Sequence, residues 1–142
     1  MSYESIGEEM RNLKFIIILL IFVFFITSCS NHSVKFKVEP ESVARGGKGS
    51  ILIKISAGGK WKIDPKSLIS ITYTAPQGIT MDVNEFFTDK HEMNTTFRTG
   101  FKVAPDAPLG DAIIKADVFF MICSKSLCKM IKEEHEGSVL IR

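Results

Sequence analysis

The chain has 142 residues, 24% of them charged, and a formal net charge of +2. That length holds one domain. Charges of both signs are spread along it, and no basic block or aromatic-interleaved basic patch marks a nucleic-acid interface.

Residues 1–28 read as a targeting segment. Arg11 and Lys14 supply a positive start, and residues 15–26 form an unbroken apolar run of 12. A spanning helix needs about 20 such residues, so the run fits the helical core of a signal peptide. Met10 is an alternative start, because the six residues from there open a signal peptide of ordinary form. Ile26, Thr27, Ser28 and Cys29 resemble the bacterial lipobox, in which an aliphatic residue, two small residues and a cysteine mark cleavage and lipid attachment. Cys29 is therefore the expected lipidation site and residues 29–33 a tether. The competing reading is an uncleaved anchor with an incidental cysteine. The expected location is a bacterial membrane, facing the periplasm, and Ser30 leans towards the outer membrane.

Residues 34–142 read as strands and turns. Val34, Phe36 and Val38 alternate with Lys35, Lys37 and Glu39, the pattern of a half-buried strand, and Pro40 ends it. Residues 45–49 are a glycine-rich turn, and 50–57 are a second, β-branched strand. After Gly58 and Gly59 comes a short strand over 60–63, with Trp61 a core residue. Strands follow over 68–74 and 79–83. Residues 84–94 read as a polar loop carrying Phe86 and Phe87. Residues 95–103 and 111–123 are strands, the latter the longest. Residues 127–132 are its expected hairpin partner, with a helical turn over 129–136 as an alternative, and 137–142 close the domain. Some seven to nine short strands without an amphipathic helix predict an all-β sandwich.

With Cys29 carrying lipid, Cys123 and Cys128 remain as an even pair in an oxidising compartment. If residues 124–127 form the hairpin loop, the two face each other. Opposed Cα atoms lie about 4.5–5.5 Å apart, within reach of a disulfide. A loop this short stabilises by only about 2 kcal/mol, against nearly 5 for a loop of about 100 residues. By itself the pair reads equally as a redox centre or as an inert bridge. Lys125 and Lys129 are candidates to favour a thiolate.

A third reading is metal. Met121, Cys123, Cys128 and Met130 would share one face of a symmetric hairpin, and soft sulfur ligands suit Cu(I). The plainer reading makes both methionines packing residues. His91 and Met93 add little, and His32 and His135 are expected on exposed segments. No nucleophile–base constellation and no phosphate-binding glycine loop stands out, and no cofactor is expected.

Three stretches in order carry a family resemblance. They are Gly59, Lys60, Trp61, Lys62 and Ile63 with the strand after them and Ala75, Pro76, Gln77 and Gly78; then Asn84, Glu85, Phe86, Phe87, Thr88, Asp89 and Lys90; then the strand over 113–122 running into Cys123 and Cys128. Together they resemble the periplasmic N-terminal domain of the thiol:disulfide interchange protein DsbD family. The resemblance implies an immunoglobulin-like sandwich whose cysteine pair exchanges electrons with thioredoxin-like and membrane-embedded envelope proteins. It implies a shielding cap at Phe86 and Phe87, with Asn84 where an acid is usual and Glu85 beside it. It also implies that Cys128 meets the partner and Cys123 resolves the mixed disulfide. Four residues separate the cysteines here, where the family has five. Lys129, Met130 and Ile131 replace its aromatic-Pro-Pro.

Overall fold

The structure, a computed structural model, describes residues 31–88 and 94–142. The signal segment, Met10, Cys29, His91, Met93 and the end of the cap stretch, Asp89 and Lys90, lie outside the described residues.

Among the described residues, ten strands make two sheets. They are β1 (His32–Glu39), β2 (Ser42–Val43), β3 (Lys48–Ala57), β4 (Lys62–Ile63), β5 (Ile69–Thr74), β6 (Ile79–Met81), β7 (Glu85–Thr88), β8 (Thr95–Val103), β9 (Gly110–Cys123) and β10 (Cys128–Ile141). One sheet has the order β1-β3-β8-β6. The other has the order β2-β10-β9-β5-β7, with β4 also paired to β9. All pairings are antiparallel except β10 with β2.

Period-two alternation builds the core. On β9, Ala112, Ile114, Ala116, Val118, Phe120 and Ile122 face inward and are buried, while the residues between them face out. Ile51, Ile53 and Ile55 of β3 and Phe101 and Val103 of β8 fill the space from the other sheet. Trp61 is 7% exposed and belongs to this core.

Three expectations are corrected. Residues 85–88 are strand β7, not loop, because they pair with β5 at the sheet edge. Residues 128–141 are one continuous strand, not a short hairpin arm, a helical turn and a separate closing strand. The break expected at Gly137 is instead a close approach. A Cβ there would lie 2.6 Å from Phe36 Cε1 and 2.7 Å from Val38 Cγ2, so β1 crosses β10 where a side chain has no room. His32 and His135 are not on exposed segments. Both are half-buried beside Glu133, which accepts from His32 Nε2 and, at 2.8 Å, from His135 Nε2.

Candidate functional site: the tip of the β9–β10 hairpin

Residues 124–127 connect β9 to β10, and Ser124 organises the turn. Its N–H donates to Leu127 O at 2.7 Å, and its hydroxyl oxygen accepts from Leu127 N–H at 3.2 Å. A serine at the start of such a turn satisfies backbone groups the loop leaves open. The register that follows is symmetric: Cys128 faces Cys123, and Met130 faces Met121. Cys123 and Cys128 form a disulfide, with Cα atoms 4.0 Å apart.

The disulfide lies on the outer face. Ile122, beside Cys123, points into the core, so Cys123 and Met121 point away from it. Cys128 is exposed and Cys123 half-buried. Met130 is 69% exposed, so it is not a packing residue. Both cysteines belong to the same sheet, and the bond ties nothing across the sandwich.

The register also brings to the disulfide residues to which the sequence assigned no site role. Lys62 on β4 faces Cys123 from the side opposite β10. The Asp64 N–H donates to Met121 O at 3.0 Å and fixes the chain after β4 against β9. A turn then forms, in which the Asp64 carboxylate accepts from Lys66 N–H at 3.1 Å. Between this wall and the hairpin loop lies a cavity of about 540 Å³, lined by Lys60, Lys62, Pro65, Cys123 and Lys125 among others. The signal for it was Lys60 and Lys62 flanking Trp61, which a reading of Trp61 as core alone passes over.

The two lysines expected to favour a thiolate part company. Lys125 lines the cavity. Lys129 faces Ile122 on the inner side, and its ammonium lies 4.7 Å from the centroid of the Trp61 ring.

Among the described residues, 84–88 of the expected cap stretch do not lie over the disulfide. Phe86 faces Ile71 on the inner side and packs against Phe97 with tilted rings, centroids 5.0 Å apart. Phe87 points outward and is 54% exposed, opposite Ser70, which in turn faces Phe119. Phe119 lies four residues before Cys123, about 13 Å along the strand. Asn84 accepts from Tyr73 N–H through its carbonyl at 2.8 Å, and Glu85 sits on the outer face opposite Thr72. None of Asn84, Glu85, Phe86 and Phe87 lines the cavity beside Cys123.

Elsewhere, Tyr73 faces inward, and burial pushes its phenol up to about 12. Burial opposes ionisation of Glu133. The hydrogen bonds from His32 and His135 outweigh it and hold the carboxyl below its usual range.

No protein-family model matches the sequence, and no curated protein does. The similarity is to solved structures. Over 78% of this chain, the structure of native alpha-2-macroglobulin from Escherichia coli, spanning domain MG7 to the C-terminus, superposes with a TM-score of 0.53 at 14% identity. The cryo-EM structure of the native conformation of the E. coli protein gives 0.52 at 14% identity over 80% of this chain. The fold is an immunoglobulin-like β-sandwich. This immunoglobulin-like chain covers 16% and 7% of those two chains, a small part of each. A conjugative transposon lipoprotein from Bacteroides eggerthii gives 0.46 at 16% identity, covering 78% of this chain and 97% of that one, too loose a likeness to bear on function.

Proposed function

We propose that the domain is a thiol–disulfide exchange module of the bacterial cell envelope, anchored by lipid at Cys29 and facing the periplasm. The Cys123–Cys128 pair cycles between disulfide and dithiol and passes electrons between thioredoxin-like or membrane-embedded redox proteins. The observation that carries this reading is the position of the bond at the hairpin tip, on the outer face and within one sheet. There it is open to a nucleophile and contributes little to joining the sandwich. Leu127 and Met130, both large, apolar and exposed, border it and suit a transient protein contact. The resemblance to the DsbD N-terminal domain points the same way. Exchange needs only an attacking thiolate and a leaving thiolate, so no cofactor enters.

Single-cysteine variants test it. Purified Cys123→Ser and Cys128→Ser domains, each reduced, are mixed with a thioredoxin-like protein that lacks its resolving cysteine and whose remaining cysteine is held as a mixed disulfide with thionitrobenzoate, so that the domain thiolate forms the new bond and thionitrobenzoate leaves. One of the two should accumulate a mixed disulfide within minutes. If neither does, the module is a non-enzymatic envelope lipoprotein with an inert bridge.

The register supports a second reading. Met121 faces Met130 directly beside the cysteine pair, so four sulfurs share one exposed face. In the reduced state, two thiolates and two thioethers are a donor set for Cu(I). Titrating the reduced domain with Cu(I) should give tight one-to-one binding, lost when Met121 and Met130 are both changed to Leu. Binding that survives both changes excludes this site.

A further inference from the structure

The two sides of the disulfide differ. Across the sheet the order is Cys128, Cys123, Lys62. The sulfur–sulfur bond spans the first pair, and the cavity lies on the β4 side, beyond Cys123 as seen from Cys128. Cys123 lines this cavity and Cys128 does not. On the far side of Cys128 no strand follows among the described residues, since β2 reaches only Leu140 and Ile141. A thiolate displaces one sulfur from another along the bond axis, entering opposite the leaving group. A nucleophile seated in the cavity reaches Cys123 from the side opposite Cys128, the side from which such a displacement must come.

The wall is also charged. Lys60, Lys62 and Lys125 line it against one acid, Asp64, whose carboxylate already accepts from Lys66 N–H. Gly59, with no side chain, and Pro65 leave room for an extended backbone.

We propose that this cavity seats an extended segment of a partner protein whose reactive cysteine is flanked by Asp or Glu, and that Cys123 is the sulfur it attacks. This rests on the exchange reading above and reverses the roles that the DsbD resemblance implies. The partner thiolate attacks Cys123 Sγ. A bond forms between those two sulfurs, the Cys123–Cys128 bond breaks, and Cys128 leaves as a thiolate with the electron pair. A second partner thiolate then attacks the partner's own sulfur and releases Cys123 as a thiolate. The partner dithiol is oxidised by two electrons, the domain disulfide is reduced, and the two thiol protons pass to the two cysteines through solvent.

The test uses the oxidised domain and three peptides, each with one cysteine flanked by aspartates, serines or lysines. Each rate is divided by the same peptide's rate with hydroxyethyl disulfide, which removes differences in intrinsic thiol reactivity. At ~10 mM salt the aspartate peptide should react roughly 10-fold faster than the lysine peptide, and the ratio should fall towards one at ~1 M. Rapid alkylation should label Cys128, leaving the peptide on Cys123. The triple change K60Q/K62Q/K125Q should bring the aspartate peptide down to the serine peptide's rate. Equal normalised rates, or peptide found on Cys128, overturn the inference and leave exchange standing. A normalised rate for glutathione matching that of the aspartate peptide also overturns the seated segment. If none of the peptides exchanges, the exchange reading falls, and this inference with it.

Discussion

Lys62 faces Cys123 across the β4–β9 pairing, on the side of the disulfide opposite Cys128. Cys123 is thus the middle of a three-strand row on the outer face of one sheet. A bridge meant to hold a sandwich joins its two layers. This one joins two strands that already pair along their whole length, at the end nearest the turn.

That position predicts a small stability effect. The double variant Cys123→Ser/Cys128→Ser should lose no more than about 2 kcal/mol of unfolding free energy, the amount expected for so short a loop. Urea denaturation of the two proteins measures it. A loss of about 4 kcal/mol or more would mean that the bond is a structural staple.

The two adjacent phenylalanines should behave differently, because alternation sends them to opposite faces. Phe86 packs against Phe97, so Phe86→Ala should cost about 3 kcal/mol. Phe87 is exposed and remote from the cysteines, so Phe87→Ala should change stability by less than about 0.5 kcal/mol. It should also leave the rate of disulfide reduction by dithiothreitol unchanged. Faster reduction on losing Phe87 would restore it as a shield.

Much of this was legible in the sequence, and the failures have physical reasons. β3, β8 and β9 alternate cleanly because one face of each lies on the core. The facing cysteines followed from a four-residue loop. β10 was broken up because Glu133 and His135 occupy inward positions, where an apolar residue is expected. Glu133 is satisfied by His32, which arrives from β1 about a hundred residues away in sequence, and by its neighbour His135. β7 was missed because it is a four-residue edge strand with two adjacent aromatics, which hides its period of two. Lys62 could not be placed, because only the pairing of β4 with β9 brings it to Cys123.

The Glu133 cluster predicts a pH dependence. The folded carboxyl titrates below its unfolded value, so the unfolded chain binds more protons in that window. The stabilisation is present above about pH 4.5, the ordinary carboxyl value, and is lost as pH falls through the folded value. Glu133→Gln should therefore cost on the order of 1 kcal/mol at pH 7, and the difference should shrink below pH 4. Thermal unfolding of both proteins from pH 3 to 7 checks it. A gap that widens towards low pH would contradict the assignment.

The reduction potential of the Cys123–Cys128 pair tests the central claim most directly. It is measured by equilibrating the domain in glutathione or dithiothreitol buffers and counting free thiols. An exchange module should lie in the range of thioredoxin-like proteins, roughly −120 to −270 mV. A potential below about −300 mV, the mark of bonds that resist reduction, would contradict it.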